Sequence, residues 1–318
     1  MRLTSREQEI VNVIKKNPLI SQDELAEIFD ISRSSVAVHI SNLMKKGIIR
    51  GKGYEFNEEP SITILGDCYL EINIDNKVES DSRIDIKYCG VPIEIGSIFT
   101  NYGIKPRVVT FLGNDDIADY FLNQLYGLEI DIANIFKHTS KRTSRCVKVN
   151  NDLTYRESLQ WDDYLKAIST REWIIYNCDW LIHEYRFTDE KIRRALNKKT
   201  DNLPRFCTFK ILDDIRDISD NLSYYSVVVL GIRAINDSTN IVNKLLELNS
   251  NSEQVFVITD GKSDIITISN NTINSFPLLP NQVFSIENKL SSFLAGLIYG
   301  ILNNHPLRQA IRIAIGSI

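Results

Sequence analysis

Ile31-Ser32-Arg33-Ser34-Ser35-Val36-Ala37-Val38-His39-Ile40-Ser41-Asn42-Leu43-Met44-Lys45-Lys46 sets Val36, Ile40 and Leu43 at helical spacing behind a serine, Ser32, suited to capping a helix. At about 100° per residue, the face opposite that stripe carries Ser34, Val38, Ser41, Asn42 and Lys45, with Ser35, His39 and Lys46 at its flanks. Such a face suits the major groove of DNA. Ser and Asn bond base edges there, and an exposed Val meets a thymine methyl. From Ile31 to Tyr54 the basic residues are Arg33, Lys45, Lys46, Arg50 and Lys52, and there is no acidic one.

Upstream, Thr4 or Ser5 is placed to cap a helix with Ile10, Val13 and Ile14 on one face, ending near Asn17-Pro18. Ser21 and Glu24 form a capping-box pattern for a second short helix that should bury Leu25 and Ile28. Downstream, residues 47–56 read as a glycine-turned hairpin whose Arg50 and Lys52 can reach backbone phosphate. Helix, helix, turn, helix and wing make a DNA-reading unit. The candidate DNA contacts are Ser32, Arg33, Ser34, Ser35, Val38, His39, Asn42, Lys45, Lys46, Arg50 and Lys52. The segment closely resembles the winged helix-turn-helix domains of bacterial transcription regulators, above all in Ile20-Ser21-Gln22-Asp23-Glu24-Leu25-Ala26 and Ile31 to Ile40. His39 reads as a groove-flank residue, since no second His or Cys lies near it in sequence.

The whole chain has 318 residues, room for about two domains. Apolar residues make up 43% and charged residues 25%, which excludes disordered, collagen-like and coiled-coil chains. A net charge of -4 excludes a uniformly basic nucleic-acid coat, so the basic segment stands out. No apolar run approaches membrane-spanning length, and the N-terminus lacks the apolar core of a secretory signal, so a cytoplasmic protein with no membrane partner is expected. Cys68, Cys89, Cys146, Cys178 and Cys207 are scattered and odd in number, which argues for buried free thiols and against a disulfide framework or a zinc site. The polar stretch ending at Pro60 divides a DNA-binding domain (1–57) and a short linker (58–61) from a large domain (62–318).

In the large domain, apolar runs recur: Ile62 to Leu65, Val108 to Phe111, Trp173 to Tyr176, Trp180 to Ile182, Val227 to Leu230 and Val255 to Ile258. Helical stretches lie between them at Asp116 to Leu125, Asp189 to Leu196 and Ser238 to Leu248, so the fold class is α/β with a mostly parallel sheet. The order of segments resembles that of PfkB-type (ribokinase-like) sugar and nucleoside kinases, some of which, similar to pseudouridine kinases, carry a winged helix in front. The resemblance rests on Ile64-Leu65-Gly66-Asp67, Cys89-Gly90-Val91, Tyr102-Gly103-Ile104, Phe111-Leu112-Gly113-Asn114-Asp115, Val257-Ile258-Thr259-Asp260-Gly261 and Phe293-Leu294-Ala295-Gly296-Leu297. It implies a Rossmann-type three-layer domain.

It also implies catalytic residues that this chain lacks. Asn288-Lys289-Leu290-Ser291 stand where the family has Gly-Ala-Gly-Asp, whose small residues admit a phosphoryl group to the backbone and whose Asp is the base. Ser291 cannot accept that proton near neutral pH, and loss of a general base costs about 10²–10⁴ in rate. Glu71 matches the substrate-holding aspartate, Cys89 and Glu94 replace a glycine and an asparagine of the substrate motif, and Ile232 to Ile235 lack the magnesium-organising polar groups. Thr259 and Gly261 match the nucleotide loop, or are retained as a tight strand-to-helix turn; Asp264 is an alternative base should the register differ. The candidate ligand pocket is therefore a vestigial one of Glu71, Gly90, Glu94, Thr259, Gly261, Asn288, Lys289 and Ser291, with no catalytic residue, cofactor or metal expected.

These features point to a transcription regulator that binds double-stranded DNA, with a pseudokinase domain for dimerisation, for sensing a nucleoside, sugar or nucleotide, or for both. Asp81 to Tyr88 and Cys146 to Tyr155 match the family's β-lid, which often pairs subunits, and a homodimer would read half-sites roughly 34 Å apart. The resembling kinases continue past Ser317-Ile318, so the large domain reads as C-terminally shortened. The alternatives are an active sugar or nucleoside kinase with an appended DNA-binding domain, and a protein-binding adaptor.

Overall fold

A computed structural model of the chain describes residues 3–17, 19–46, 48–49, 60–75, 83–150, 152–188, 203–233, 238–249 and 253–318. The chain divides into two compact units, Met1–Glu59 and Pro60–Ile318.

In the first unit, α1 (Ser5–Lys16), α2 (Gln22–Phe29) and α3 (Arg33–Lys45) follow the capping signals. Thr4 and Ser21 each close a capping box, with Glu7 and Glu24, and Asp30 turns the chain between α2 and α3 at φ 50°. Val36, Ile40 and Leu43 are buried against Ile10, Ile14 and Leu25. Ile28 is not: it is 55% exposed, because α2 turns Ala26 and Phe29 towards the core instead. The expected wing lies almost wholly outside the described residues; of it, Ile48 and Ile49 are described, and Ile49 is buried.

In the second unit the elements are β1 (Ile62–Leu65), β2 (Cys68–Asp75), β3 (Arg83–Gly90), α4 (Val91–Asn101), β4 (Arg107–Val109), β5 (Phe111–Leu112), α5 (Asp116–Gly127), β6 (Phe136–Lys137), β7 (Ser144–Val149) and β8 (Asp152–Glu157). There follow α6 (Trp161–Ser169), α7 (Glu172–Tyr176), β9 (Trp180–His183), β10 (Arg205–Ile211), β11 (Val227–Gly231), α8 (Ser238–Leu248), β12 (Val255–Thr259), β13 (Ile265–Ser269), β14 (Thr272–Phe276), α9 (Ile286–Leu302) and α10 (Leu307–Gly316). Eight strands form one sheet in the order β14-β13-β12-β11-β10-β9-β1-β4, parallel from β12 to β4 and antiparallel at the other edge.

Strand alternation divides the core into two layers. Ile62, Ile64, Val227 and Val229 pack with α4, α9 and α10, whereas Leu65, Val228 and Leu230 pack with α6, α7 and α8. The result is helix, sheet, helix, the three-layer α/β architecture expected. Trp173 to Tyr176, read as a strand from its apolar run, is the helix α7. Four apolar residues do not distinguish the two by period, and here Ile174 and Ile175 are buried while Trp173 is exposed. The helix expected at 189–196 lies outside the described residues.

A second sheet, β3-β2-β7-β8, stands apart from the first. Its register sets Ile86, Ile72, Val147 and Tyr155 in one row and Ile84, Ile74 and Val149 in the next. Ile84, Ile86 and Tyr155 are each more than half exposed, so this face is apolar and open. The opposite face carries Glu71, Asn73, Cys146 and Lys148.

Candidate functional site

On α3, Ser32 accepts a hydrogen bond from the Ser35 N–H at 3.1 Å, and its hydroxyl lies 2.8 Å from those of Ser34 and Ser35. Arg33, Ser34, Val38 and Lys45 are exposed, as are Ser41 and two residues the face reading left out, Ala37 and Met44. Ser35, His39 and Asn42 are half-buried. They lie on the side from which Lys46 reaches Glu7 of α1, an ion pair at 2.6 Å with side chains only 10% and 2% exposed. The exposed strip is therefore rotated towards Ala37 and Met44. Lys46 is a structural partner of Glu7; Arg50 and Lys52 lie outside the described residues.

In the large unit, a cavity of about 460 Å³ opens between the second sheet and the start of α9. Glu71, Gly90, Glu94 and Ser291, four of the eight candidate pocket residues, line it together. The Ser291 hydroxyl donates to the Glu94 carboxylate at 2.7 Å, joining α9 to α4. Lys148 holds Glu71 at 2.6 Å and Asn73 donates to it at 2.9 Å. Burial would raise the Glu71 carboxyl, but these bonds outweigh it and hold the group below its usual range.

Asp67, Glu184 and Arg186 line the same cavity, a cluster the motifs did not reveal. Arg186 lies 2.7 Å from Glu184 and 3.4 Å from Asp67, above the rings of Tyr164 and Phe187. Asp67 Oδ2 also accepts from Tyr164 and Ser144, and its backbone N–H donates to Glu184. Burial pushes the Asp67 carboxyl up, against the pull of Arg186. It pushes Glu184 up to about 7; Arg186 opposes that shift and Asp67 reinforces it. Only Asp67 stood inside a quoted motif; Glu184 and Arg186 lie in no motif and are found only through the fold.

Asn288 and Lys289 line a second, more open cavity of about 510 Å³, with Arg312 and Ile318. The first turn of α9 stands between the two: Ile286, Glu287, Leu290 and Ser291 face the first, Ser285, Asn288 and Lys289 the second. The N–H groups of Asn288 and Lys289 both donate to the Ser285 carbonyl, at 3.3 and 3.0 Å, and Leu290 is buried. Those donors are engaged within the helix.

Thr259 and Gly261 line neither cavity. They form the turn of the β12–β13 hairpin rather than a strand-to-helix turn, with Thr259 Oγ1 accepting the Gly261 N–H at 3.0 Å. Asp264 lies exposed just past that turn, accepting from Ser275, and lines neither cavity. Gly261 has φ +71°, and a Cβ there would fall 2.2 Å from the Phe284 carbonyl oxygen. Gly261→Ala should therefore lower stability by about 2 kcal/mol in urea unfolding; a change within experimental error would show that the turn relaxes freely.

All five cysteines are free. Among the described residues, no helix is long and apolar enough to cross a membrane, and no group of three His, Cys, Asp or Glu side chains is placed to hold a metal ion.

Comparison with known proteins matches both units. Residues 3–50 match the family described as winged helix-turn-helix DNA-binding. An uncharacterized HTH-type transcriptional regulator of Pyrococcus horikoshii is 33% identical over 118 residues, 37% of this chain and 77% of that protein. An uncharacterized sugar kinase of Escherichia coli is 28% identical over 155 residues, 47% of this chain but only 43% of that protein. The crystal structure of a Methanocaldococcus jannaschii nucleoside kinase, an archaeal member of the ribokinase family, superposes with a TM-score of 0.60 at 12% identity, over 80% of this chain and 89% of the other. The chain belongs to the winged helix-turn-helix family and carries that DNA-binding domain ahead of a domain of ribokinase-like, PfkB-type fold.

Proposed function

We propose that the protein is a sequence-specific transcription regulator whose kinase-like domain has given up phosphoryl transfer and serves dimerisation and the sensing of a small ligand. The start of α9 carries this reading. A phosphoryl group crossing from the second cavity to the first needs free N–H donors and a base, and it would meet Asn288 and Lys289 N–H groups already bonded to the Ser285 carbonyl and a serine bonded to Glu94. The vestigial pocket then reduces to Glu71, Gly90, Glu94 and Ser291 in the first cavity, with Asn288 and Lys289 beside the second.

On the DNA side, Ser34, Val38, Ser41 and Lys45 are open for groove contact. A mobility-shift experiment with the gene's own upstream DNA should give a specific, steeply salt-dependent complex; no specific complex at low salt would sink the proposal. Arg33→Ala should weaken binding to all DNA alike, and Ser41→Ala should relax base preference by about 1 kcal/mol. The open apolar rows of the second sheet support a homodimer formed through that face. Ile86→Asp is expected to give a monomer in sedimentation and to lower operator affinity about tenfold or more. A variant that stays dimeric would place the contact elsewhere.

The similarity to the E. coli sugar kinase favours one other reading, an active sugar or nucleoside kinase with an appended DNA-binding domain. ATP consumption above background with a ribose-type substrate, abolished by a change at Glu94, would establish it in place of the first.

A further inference from the structure

Four of the cations lining the first cavity already meet carboxylates. Arg186 bridges Asp67 and Glu184, Lys148 holds Glu71 at 2.6 Å, Arg145 meets Asp115 at 2.8 Å and Lys210 meets Asp217 at 3.7 Å. Arg156 lies exposed on β8. The carboxylates are not matched in the same way. Among the described residues, Glu94 touches only the neutral hydroxyl of Ser291, and Asp67 and Glu184 share one guanidinium. Asp67, 4% exposed, also leaves Oδ1 with no hydrogen-bond partner on the same wall.

We propose that this cavity takes a small organic molecule carrying an ammonium group, with Glu94 as its counter-charge. The inference rests on the reading of the cavity as an effector site and names the chemistry that fills it. A half-buried carboxylate facing only a hydroxyl keeps most of its desolvation cost, and an ammonium offsets that cost with charge-assisted bonds. An anionic ligand would find only the exposed Arg156 outside these pairs, and at Lys148, Arg145 and Arg186 it would have to displace ion pairs already formed. A volume of about 460 Å³ accommodates an amino sugar or an amino-nucleoside.

The test compares matched pairs by calorimetry on the full chain: D-glucosamine against D-glucose, and 5′-amino-5′-deoxyadenosine against adenosine. At least one amine should bind about tenfold or more tightly than its hydroxyl counterpart at neutral pH, and Glu94→Gln should abolish that preference. Equal affinities in both pairs, no binding of either amine at millimolar concentration, or a preference that survives Glu94→Gln would each overturn the proposal. The wild-type comparison decides on its own should the variant fail to fold. Operator binding by the ligand-free protein is scored separately in the mobility shift, so failure here is distinguishable from failure of the regulator reading.

Discussion

Arg186→Leu is expected to lower the stability of the large unit by about 3 to 5 kcal/mol near neutral pH. The guanidinium is the one cation within ion-pairing distance of both Asp67 and Glu184 among the described residues, and leucine removes it while leaving the buried Asp67 and the half-buried Glu184 carboxyls without a counter-charge. Tyr164 and Ser144 still donate to Asp67, but neutral hydroxyls do not cancel its charge. Protonation relieves the repulsion, so the loss measured by urea unfolding should shrink as the pH is lowered. A loss under about 1 kcal/mol that does not vary with pH would show that water already screens the cluster.

The same cluster gives the wild type a pH dependence of definite sign. Glu184 is raised to about 7 in the folded chain from 4.5, so between those values the native state holds more protons than the unfolded one. Its contribution to stability is fully present below about 4.5 and is lost as the pH rises through about 7. Glu184→Gln should flatten that slope.

Lys46→Met is the second large effect, expected to cost the winged-helix unit about 3 kcal/mol because it leaves Glu7 buried without its partner. A unit of that size has little margin, so its melting transition should fall below that of the large unit and specific DNA binding should fail with it. Adding Glu7→Gln should restore most of the lost stability, whereas a true phosphate contact at position 46 would show no such rescue. The sign with pH is opposite to that of Glu184. Burial alone would raise Glu7, but the bonds from Lys46 and Thr4 outweigh it and hold the carboxyl below 4.5. That stabilisation is present above 4.5 and disappears as the pH falls through the lowered value, so mild acid strengthens one unit and stronger acid weakens the other.

Residues whose role follows from local pattern were legible in the sequence. Ser21 caps as its spacing with Glu24 requires, Thr4 is the one of the two candidate caps, Thr4 and Ser5, that closes α1, and Val36, Ile40 and Leu43 are buried because a 3.6-residue period leaves them no other face. Glu71, Glu94 and Ser291, singled out from distant segments by the motif resemblance, line one cavity, whereas Thr259 and Gly261 from the same comparison do not. Residues whose role depends on a partner far along the chain were not legible. Lys46 looks like a DNA contact until α1 supplies Glu7, and Glu184 and Arg186 look like ordinary loop charges until the sheet sets Asp67 beside them. Ile28 and Trp173 were misplaced for a simpler reason: a short helix and a four-residue run carry too few turns for periodicity to fix their orientation.

The start of α9 also bears on history. On the proposed reading, the serine at position 291 is not a lesion that one reversion mends. Ser291→Asp would restore a carboxylate, but Asn288 and Lys289 would still have their N–H groups bonded to Ser285, Leu290 would still fill its place, and Glu94 would then face a like charge. On that reading no single substitution at the start of α9 restores phosphoryl transfer, and what stays open to change is what the cavity recognises.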